Sequence, residues 1–451
     1  MKKLSLIFHP HLKKVNSHLQ RVVIILTLLF FHISYSIAQH DTTSTVRLRK
    51  DTLAGTDSLK IVPPYQDHYD ISDLFRTILH PKRKPDRTKR RSPITLMPNI
   101  AYNPTIGAQG GIKAVAGKVL GNNPNTTMSV AATSASITTK GIMVFYLSHN
   151  VFTPGNTWNF QGSLAAVHMV APDAGIGMNM NAWTTEDERV IANPDRKIFG
   201  SRYNSYIFNE KVYRQVAHGL FLGAGVSFDL RRKIEEPQLA NGPTPPSLYS
   251  EKHGFNPKKY NSNGLLFNVQ YMTRDNPNRA YSGIYSDVGI RVNQTWMGSS
   301  KNAVQLVTDF RKYFSLSKKN PEHVLGFWYW GSYKLSGTLP YFDLPGTGKD
   351  TNVRTGRGYT IGYFKGISFA YSEVEYRFPI TKNKFLSGVT FLNIQSASDE
   401  IGTRLFQRWE PGGGAGLRVL FNKATRTNLC LDYAFGKYGN RGFFLGLNEA
   451  F

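Results

Sequence analysis

An arginine between two glycines, in Gly356-Arg357-Gly358-Tyr359, is the sharpest chemical feature of this chain. Flanking glycines allow a tight loop tip and close approach of the backbone to a neighbouring surface. A guanidinium on such a tip can grip a carboxylate through two parallel hydrogen bonds and pin the loop. Glu373 and Glu375 alternate with Val374 and Tyr376, and Asp432 lies in Leu431-Asp-Tyr-Ala434, so acids are on offer. The residues leave open which acid is taken, and an arginine facing solvent is the plain alternative. Other candidate chemistry falls away. Leu344-Pro-Gly-Thr-Gly-Lys-Asp350 lacks the glycine spacing of a phosphate loop and the Ser/Thr after its lysine. The glycine run 412–414 reads as strand. Histidines are scattered without metal-ligand spacing. Cys430 is the only cysteine, which excludes an intrachain disulfide and a cysteine-based metal site. No nucleophile motif is present. The expectation is a chain with no metal, no cofactor and no catalytic residues, and so not an enzyme.

The elements that would position Arg357 are strands. Period-2 alternation recurs from about residue 95 to the end. Leu265, Phe267, Val269 and Tyr271 alternate with Leu266, Asn268, Gln270 and Met272. Val304, Leu306 and Phe310 oppose Gln305, Asp309 and Arg311. Charged members need water, so their face should line a lumen. The pattern predicts about sixteen strands, the first near 95–103 and the last at 441–451. An even number suits a closed membrane barrel, as do abundant Gly, Tyr and Phe. The longest connections, near 170–201, 233–262 and 337–365, follow the fifth, seventh and eleventh strands. Connections after even strands are generally short, as in Thr153-Pro-Gly-Asn and Asn422-Lys-Ala-Thr. Outer-membrane barrels keep short turns in the periplasm and long loops outside. In the last strand Phe443, Leu445, Leu447 and Phe451 share one apolar face, with Glu449 breaking the row where a membrane interface tolerates it. A soluble edge strand is the alternative for that segment alone.

The N-terminus supports export. Lys2, Lys3, Lys13, Lys14 and Arg21 precede the apolar run Val22–Phe31, and Ser36-Ile37-Ala38 carries small residues where a signal peptidase reads. The run is short for a membrane span, which needs roughly 20 residues. Residues 1–38 are therefore read as a signal peptide, with a single N-terminal anchor as the alternative. The net charge of +25 falls to +20 without those five cations. No nucleic-acid motif accompanies the charge, and anionic lipid or lumenal groups are the expected counter-charges. Residues 39–93 read as a periplasmic linker. Within it Ile71, Leu74, Phe75, Ile78 and Leu79 fall on one helical face, capped by Asp70 or Ser72 and ended by Pro81. A basic run follows: Lys82, Arg83, Lys84, Arg87, Lys89, Arg90 and Arg91. Helix and run could form a lipid-surface anchor, a piece tucked into the barrel mouth, or a solvated linker. Residues 94–451 form the barrel domain.

The second half of the chain resembles the barrel domain of BamA/TamA-type outer-membrane proteins, the bacterial surface-antigen family. The matching pieces are Gly356-Arg-Gly-Tyr359, the Glu-x-Arg of Ser372–Ile380, Thr273-Arg-Asp-Asn-Pro…Gly283, Gly413-Gly-Ala-Gly-Leu-Arg418 and Leu431–Ala434. They occur in the family's order. The resemblance implies an all-β transmembrane barrel with an inward-folded loop carrying Arg357. It also implies that Phe451, with Phe443, Leu445 and Leu447, serves as a C-terminal signal for the barrel assembly machinery. Two departures stand out. Asn393 of Phe391-Leu-Asn-Ile-Gln395 occupies the place of the family's loop-pairing acid, so Glu373, Glu375 or Asp432 must supply the charge. Residues 39–93 are too short for one POTRA domain, the periplasmic module of family members that fold other barrels. The expected role is insertion or assembly of outer-membrane proteins in a Gram-negative cell, with outer-membrane lipid, client barrels or accessory periplasmic proteins as partners. A translocation pore plugged by the loop, or a structural subunit of an outer-membrane complex, are the alternatives.

Overall fold

The computed structural model describes residues 68–79 and 94–451, apart from 124–125, 179–182, 185–189, 192–197, 239–242, 401 and 424. Residues 1–38, read above as a signal peptide, most of 39–93, read as a linker, and the basic run Lys82–Arg91 lie outside the described residues.

Sixteen staves close into one antiparallel barrel. They are β1 (Ile94–Pro98 and Ala101–Asn103), β2 (Gly107–Lys118), β3 (Ser129–Thr138), β4 (Met143–Phe152), β5 (Trp158–Asp173), β6 (Phe199–Ala217), β7 (Leu220–Glu235) and β8 (Tyr260–Met272), then β9 (Gly283–Asn293), β10 (Ala303–Ser315), β11 (Val324–Gly337), β12 (Ser368–Pro379), β13 (Leu386–Ala397), β14 (Glu410–Asn422), β15 (Thr427–Gly436) and β16 (Arg441–Leu447). Each pairs with its neighbours in sequence. The first stave is broken after Pro98, whose missing N–H interrupts a ladder, and both pieces pair with β2. The barrel closes through one register pair, Leu445 of β16 with Tyr102 of β1.

Alternation sorts the two faces. Phe267, Val269, Leu392, Leu417 and Phe443 are exposed on the outside, while Asn268, Gln270, Asp309, Arg311, Glu373 and Glu375 point inward. An outside of exposed large apolar residues needs hydrocarbon around it, as in a membrane barrel. Among the described residues no helix is long and apolar enough to cross a membrane.

The longest connections, 174–198, 236–259 and 338–367, gather at one end, and the other end carries only shorter turns. A helix, α1 (Ile71–Leu79), docks at the turn end. Its cap is reciprocal: the Asp73 N–H donates to Asp70 Oδ1 and the Asp70 N–H to Asp73 Oδ2, each at 3.1 Å. Lys423 of the β14–β15 turn donates its N–H to Asp70 Oδ2 and pairs its Nζ with Asp73 at 2.6 Å. The Tyr69 N–H donates to Asn383 O, and its ring meets Phe385 edge-on. The start of the helix is therefore fastened to two turns, while Phe75, Ile78 and Leu79 remain exposed. At the loop end, a second helix, α2 (Pro245–Lys252), covers the barrel: the Tyr249 hydroxyl donates to Leu339 O.

Candidate functional site: the lumenal arginine and the barrel seam

The loop from 338 to 367 connects β11 to β12 and turns into the barrel. Its composition requires this. Leu339, Tyr341, Phe342, Leu344, Tyr359, Tyr363 and Phe364 are all buried, and water would receive them poorly. Leu339, Tyr341, Phe342 and Leu344 pack with Tyr249 and Tyr260, and the other three join Trp328, Trp330, Phe369 and Tyr371 in the lumen.

Asp350 builds the tip by accepting N–H groups from Asn352, Arg354 and Thr355 at 3.1, 2.8 and 2.7 Å. Gly356 and Gly358 follow with φ of 76° and 102°, a region that side chains avoid. A Cβ on Gly358 would also come within 2.6 Å of Phe435 O. The tip thus presses its backbone against the barrel wall and projects Arg357 into a ring of acids. Arg357 Nε donates to Glu373 Oε2 at 3.2 Å, Nη1 donates to Asp432 Oδ2 at 3.0 Å, and Nη2 reaches both Glu373 and Glu375. The guanidinium carbon sits over Phe391, 3.6 Å from the ring centre. Asn393 contributes differently: its Nδ2 donates to the Arg357 carbonyl at 3.0 Å, holding the backbone and not the charge. Tyr359 receives the Lys437 N–H at 3.0 Å and donates to Pro411 O.

The loop also spans the place where the barrel closes. Arg354 Nη2 donates to Leu447 O of β16 at 3.0 Å, and the Ile361 N–H donates to Thr105 Oγ1, just past β1, at 3.0 Å. One loop therefore holds both banks of the closure.

The family model described as the Omp85 superfamily domain matches residues 199–451, more than half of the chain. This chain belongs to the Omp85 superfamily. Solved barrels agree in fold. BamA from Haemophilus ducreyi lacking POTRA domains 1–3 superposes with a TM-score of 0.51 at 13% identity, over 80% of this chain and 70% of that one. CdiB from Escherichia coli gives 0.50 at 8% identity, over 80% of this chain and 63% of its own length. No curated protein matches.

In this Omp85 barrel the arginine heads a continuous buried ion network. Glu375 pairs with Arg377 at 2.6 Å, and Arg377 Nη2 donates to Phe451 O at 2.7 Å. Asp432 pairs with Arg418, Arg418 pairs with Glu449 at 2.6 Å, and Glu449 lies 3.6 Å from Arg279. Glu322 and Lys384 complete it at the turn end. The cations Arg279, Arg357, Arg377, Arg418 and the partly exposed Lys384 interleave with the acids Glu322, Glu373, Glu375, Asp432 and Glu449. Pairing matters because an unpaired charge at this depth is strongly destabilising.

The same network corrects the reading of the last residues. Phe443, Leu445 and Leu447 are on the outer face, but β16 stops at Leu447. Asn448 takes φ of 70° and turns the chain inward. Phe451 is buried in the lumen, with ring centres 6.0 Å from Tyr313 and 5.4 Å from Trp328, and Gly326 leaves room for it. Glu449 is not at an interface: Arg418 and Asn428 hold it inside, Asn428 Nδ2 donating to Glu449 Oε1 at 2.8 Å. Alternation misplaced these residues because the period holds only while a strand continues.

Two further fastenings of the loop escaped sequence reasoning. Lys365 pairs with Asp173 at the top of β5, and Asp343 binds Arg231 of β7 and Ser262 of β8. Arg231 could have been suspected, since alternation puts it on the lumen face. Nothing local marked Lys365 or Asp173.

Proposed function

We propose that this Omp85 barrel resides in the outer membrane of a Gram-negative bacterium and helps insert or assemble other outer-membrane proteins there. It does so without catalysis, through a seam between β1 and β16. One observation carries the reading: the seam holds by the single pair Tyr102–Leu445, whereas the other staves share long ladders. The causes are local. Pro98 and Pro104 donate no backbone hydrogen bond, and Pro104 crowds Gly442, where a Cβ would lie 2.2 Å from its ring. An edge short of partners is a template for an incoming strand. Arg354 and Ile361 tie the inward loop to both banks, so release of Arg357 from its acids would free the seam to part. The short turns and α1 then face the periplasm, where accessory proteins can meet the exposed side of the helix. Phe451 reaches the assembly machinery only before it folds into the lumen.

The test is a disulfide across the seam, Tyr102→Cys with Leu445→Cys in a Cys430→Ser background. Loss of client barrels in the membrane on oxidation, restored by reductant, is the expected result. A loop-plugged pore is the second reading, favoured by how completely the loop fills the lumen. Undiminished function of the oxidised protein would overturn the assembly reading in favour of the pore.

A further inference from the structure

The outer wall of the barrel has a groove of 520 Å³ across β12 to β15. Its floor is Ala415 of β14. Val374, Tyr376 and Leu392 form one wall, and Tyr433 and Phe435 the other. Register explains the depression. Ala415 lies between Thr390 and Tyr433, and Gly413 lies between Leu392 and Phe435, so small residues run between large ones on the same face. The walls are open: Leu392 is 71% exposed and Phe435 55%. They offer almost no polar atom to an occupant.

Charge appears where the groove meets the loop end. Arg441, the first residue of β16, stands directly opposite Phe435 and so shares its outer face. It is exposed and has no carboxylate partner among the described residues. Elsewhere at the loop end, Lys437 and Arg408 both engage Glu410, at 3.1 and 2.9 Å, but Glu410 is on the lumen face of β14, opposite to Ala415. Arg441 is thus the cation that the register puts on the groove's own face. Phe406 and Trp409 stack at 5.5 Å on the loop-end rim and are well exposed, an arrangement suited to a membrane interface.

We propose that this groove holds one tightly retained lipid with a phosphate headgroup, its acyl chain along Ala415 and its phosphate on Arg441. An unpaired guanidinium at the hydrocarbon boundary is costly unless it reaches a headgroup, and its planar fork fits phosphate oxygens in pairs. The apolar lining and the cationic end are separate observations, and a phosphate-bearing lipid satisfies both. A protein segment would have to bring an apolar stripe and a correctly placed acid together. The inference rests on the membrane-spanning reading and is independent of what the seam does.

The experiment uses the full chain extracted in a mild detergent. Bound lipid is identified by native mass spectrometry, and exchange is followed with vesicles containing either a phosphate-bearing anionic lipid or an uncharged glycolipid. Wild-type protein is expected to retain one phosphate-bearing lipid. Arg441→Gln should weaken retention by about tenfold, as loss of one paired phosphate contact implies. Ala415→Trp, which fills the groove from outside, should abolish it. Heat-modifiable gel mobility checks the barrel separately. Equal retention by wild type and both variants overturns the proposal, as does a co-purifying protein in the groove or equal uptake of the glycolipid.

Discussion

At the scale of single residues, Arg357 is held by three carboxylates at once, and this makes its replacement costly. Arg357→Ala leaves Glu373, Glu375 and Asp432 buried without their cation, a loss on the order of 3–5 kcal/mol for a broken buried pair. Chemical denaturation of the variant should show that loss, and the loop should become accessible to protease. Arg357→Lys should recover only part, since an ammonium cannot offer a planar fork to separated acids. Asn393 gives a sharper test. Restoring an acid with Asn393→Asp should not strengthen the grip on the loop, because the amide now donates to the Arg357 carbonyl and a carboxylate would face that oxygen. A denaturation midpoint above that of wild type would show that the acid is simply missing.

At the scale of elements, the loops over the barrel are joined by a contact that titrates. Glu400, in the connection from β13 to β14, meets His253 at 2.7 Å and Lys252 at 3.2 Å at the end of α2. Burial favours the neutral acid, but the hydrogen bond and charge from His253 and the charge of Lys252 outweigh it, so its carboxyl is held below the usual range. A depressed folded-state value means that the contact stabilises above the ordinary carboxylate pKa and is lost as pH falls through the lower value. Hydrogen exchange of residues 245–253 should therefore quicken on acidification below about pH 4. Glu400→Gln should exchange fast at neutral pH and lose that acid dependence. The C-terminal element makes its own prediction. Phe451→Ala empties a site lined by Tyr313 and Trp328, which should cost about 3–5 kcal/mol as for other buried Phe truncations. Heat-modifiable gels should show that variant melting earlier, whereas Phe443→Ala, on the outer face, should melt like wild type.

At the scale of the whole molecule, closure through one residue pair makes the barrel stable everywhere except along one line. Hydrogen exchange in lipid should find β1 and β16 fastest among the strands, with β6 and β7 slowest, since those two share a long ladder. The inward loop crosses that line, so Arg354→Ala, which removes the bond to Leu447 O, should speed exchange in β16 and leave β6 unchanged. Exchange in β1 and β16 as slow as in β6 would refute the weak seam. Co-sedimentation with the outer membrane and a mobility shift on unboiled gels test the location.

Much of this was legible in the chain itself. Period-2 alternation, turn chemistry and the lengths of the connections determine sixteen staves, their two faces and the end at which the long loops gather, because each is a local property of consecutive residues. The glycines around Arg357 likewise mark a tip, and the alternation of Glu373, Glu375 and Asp432 marks acids on the lumen face. What tertiary structure alone decided are contacts between residues far apart in sequence. It gave Arg357 all three acids in place of one, and assigned Asn393 to the backbone. It also joined Lys365 to Asp173 and drew Glu449 and Phe451 inside. These choices follow from closure: a barrel brings distant staves within reach of each other, and charges buried beneath the inward loop must then find partners wherever in the sequence they lie.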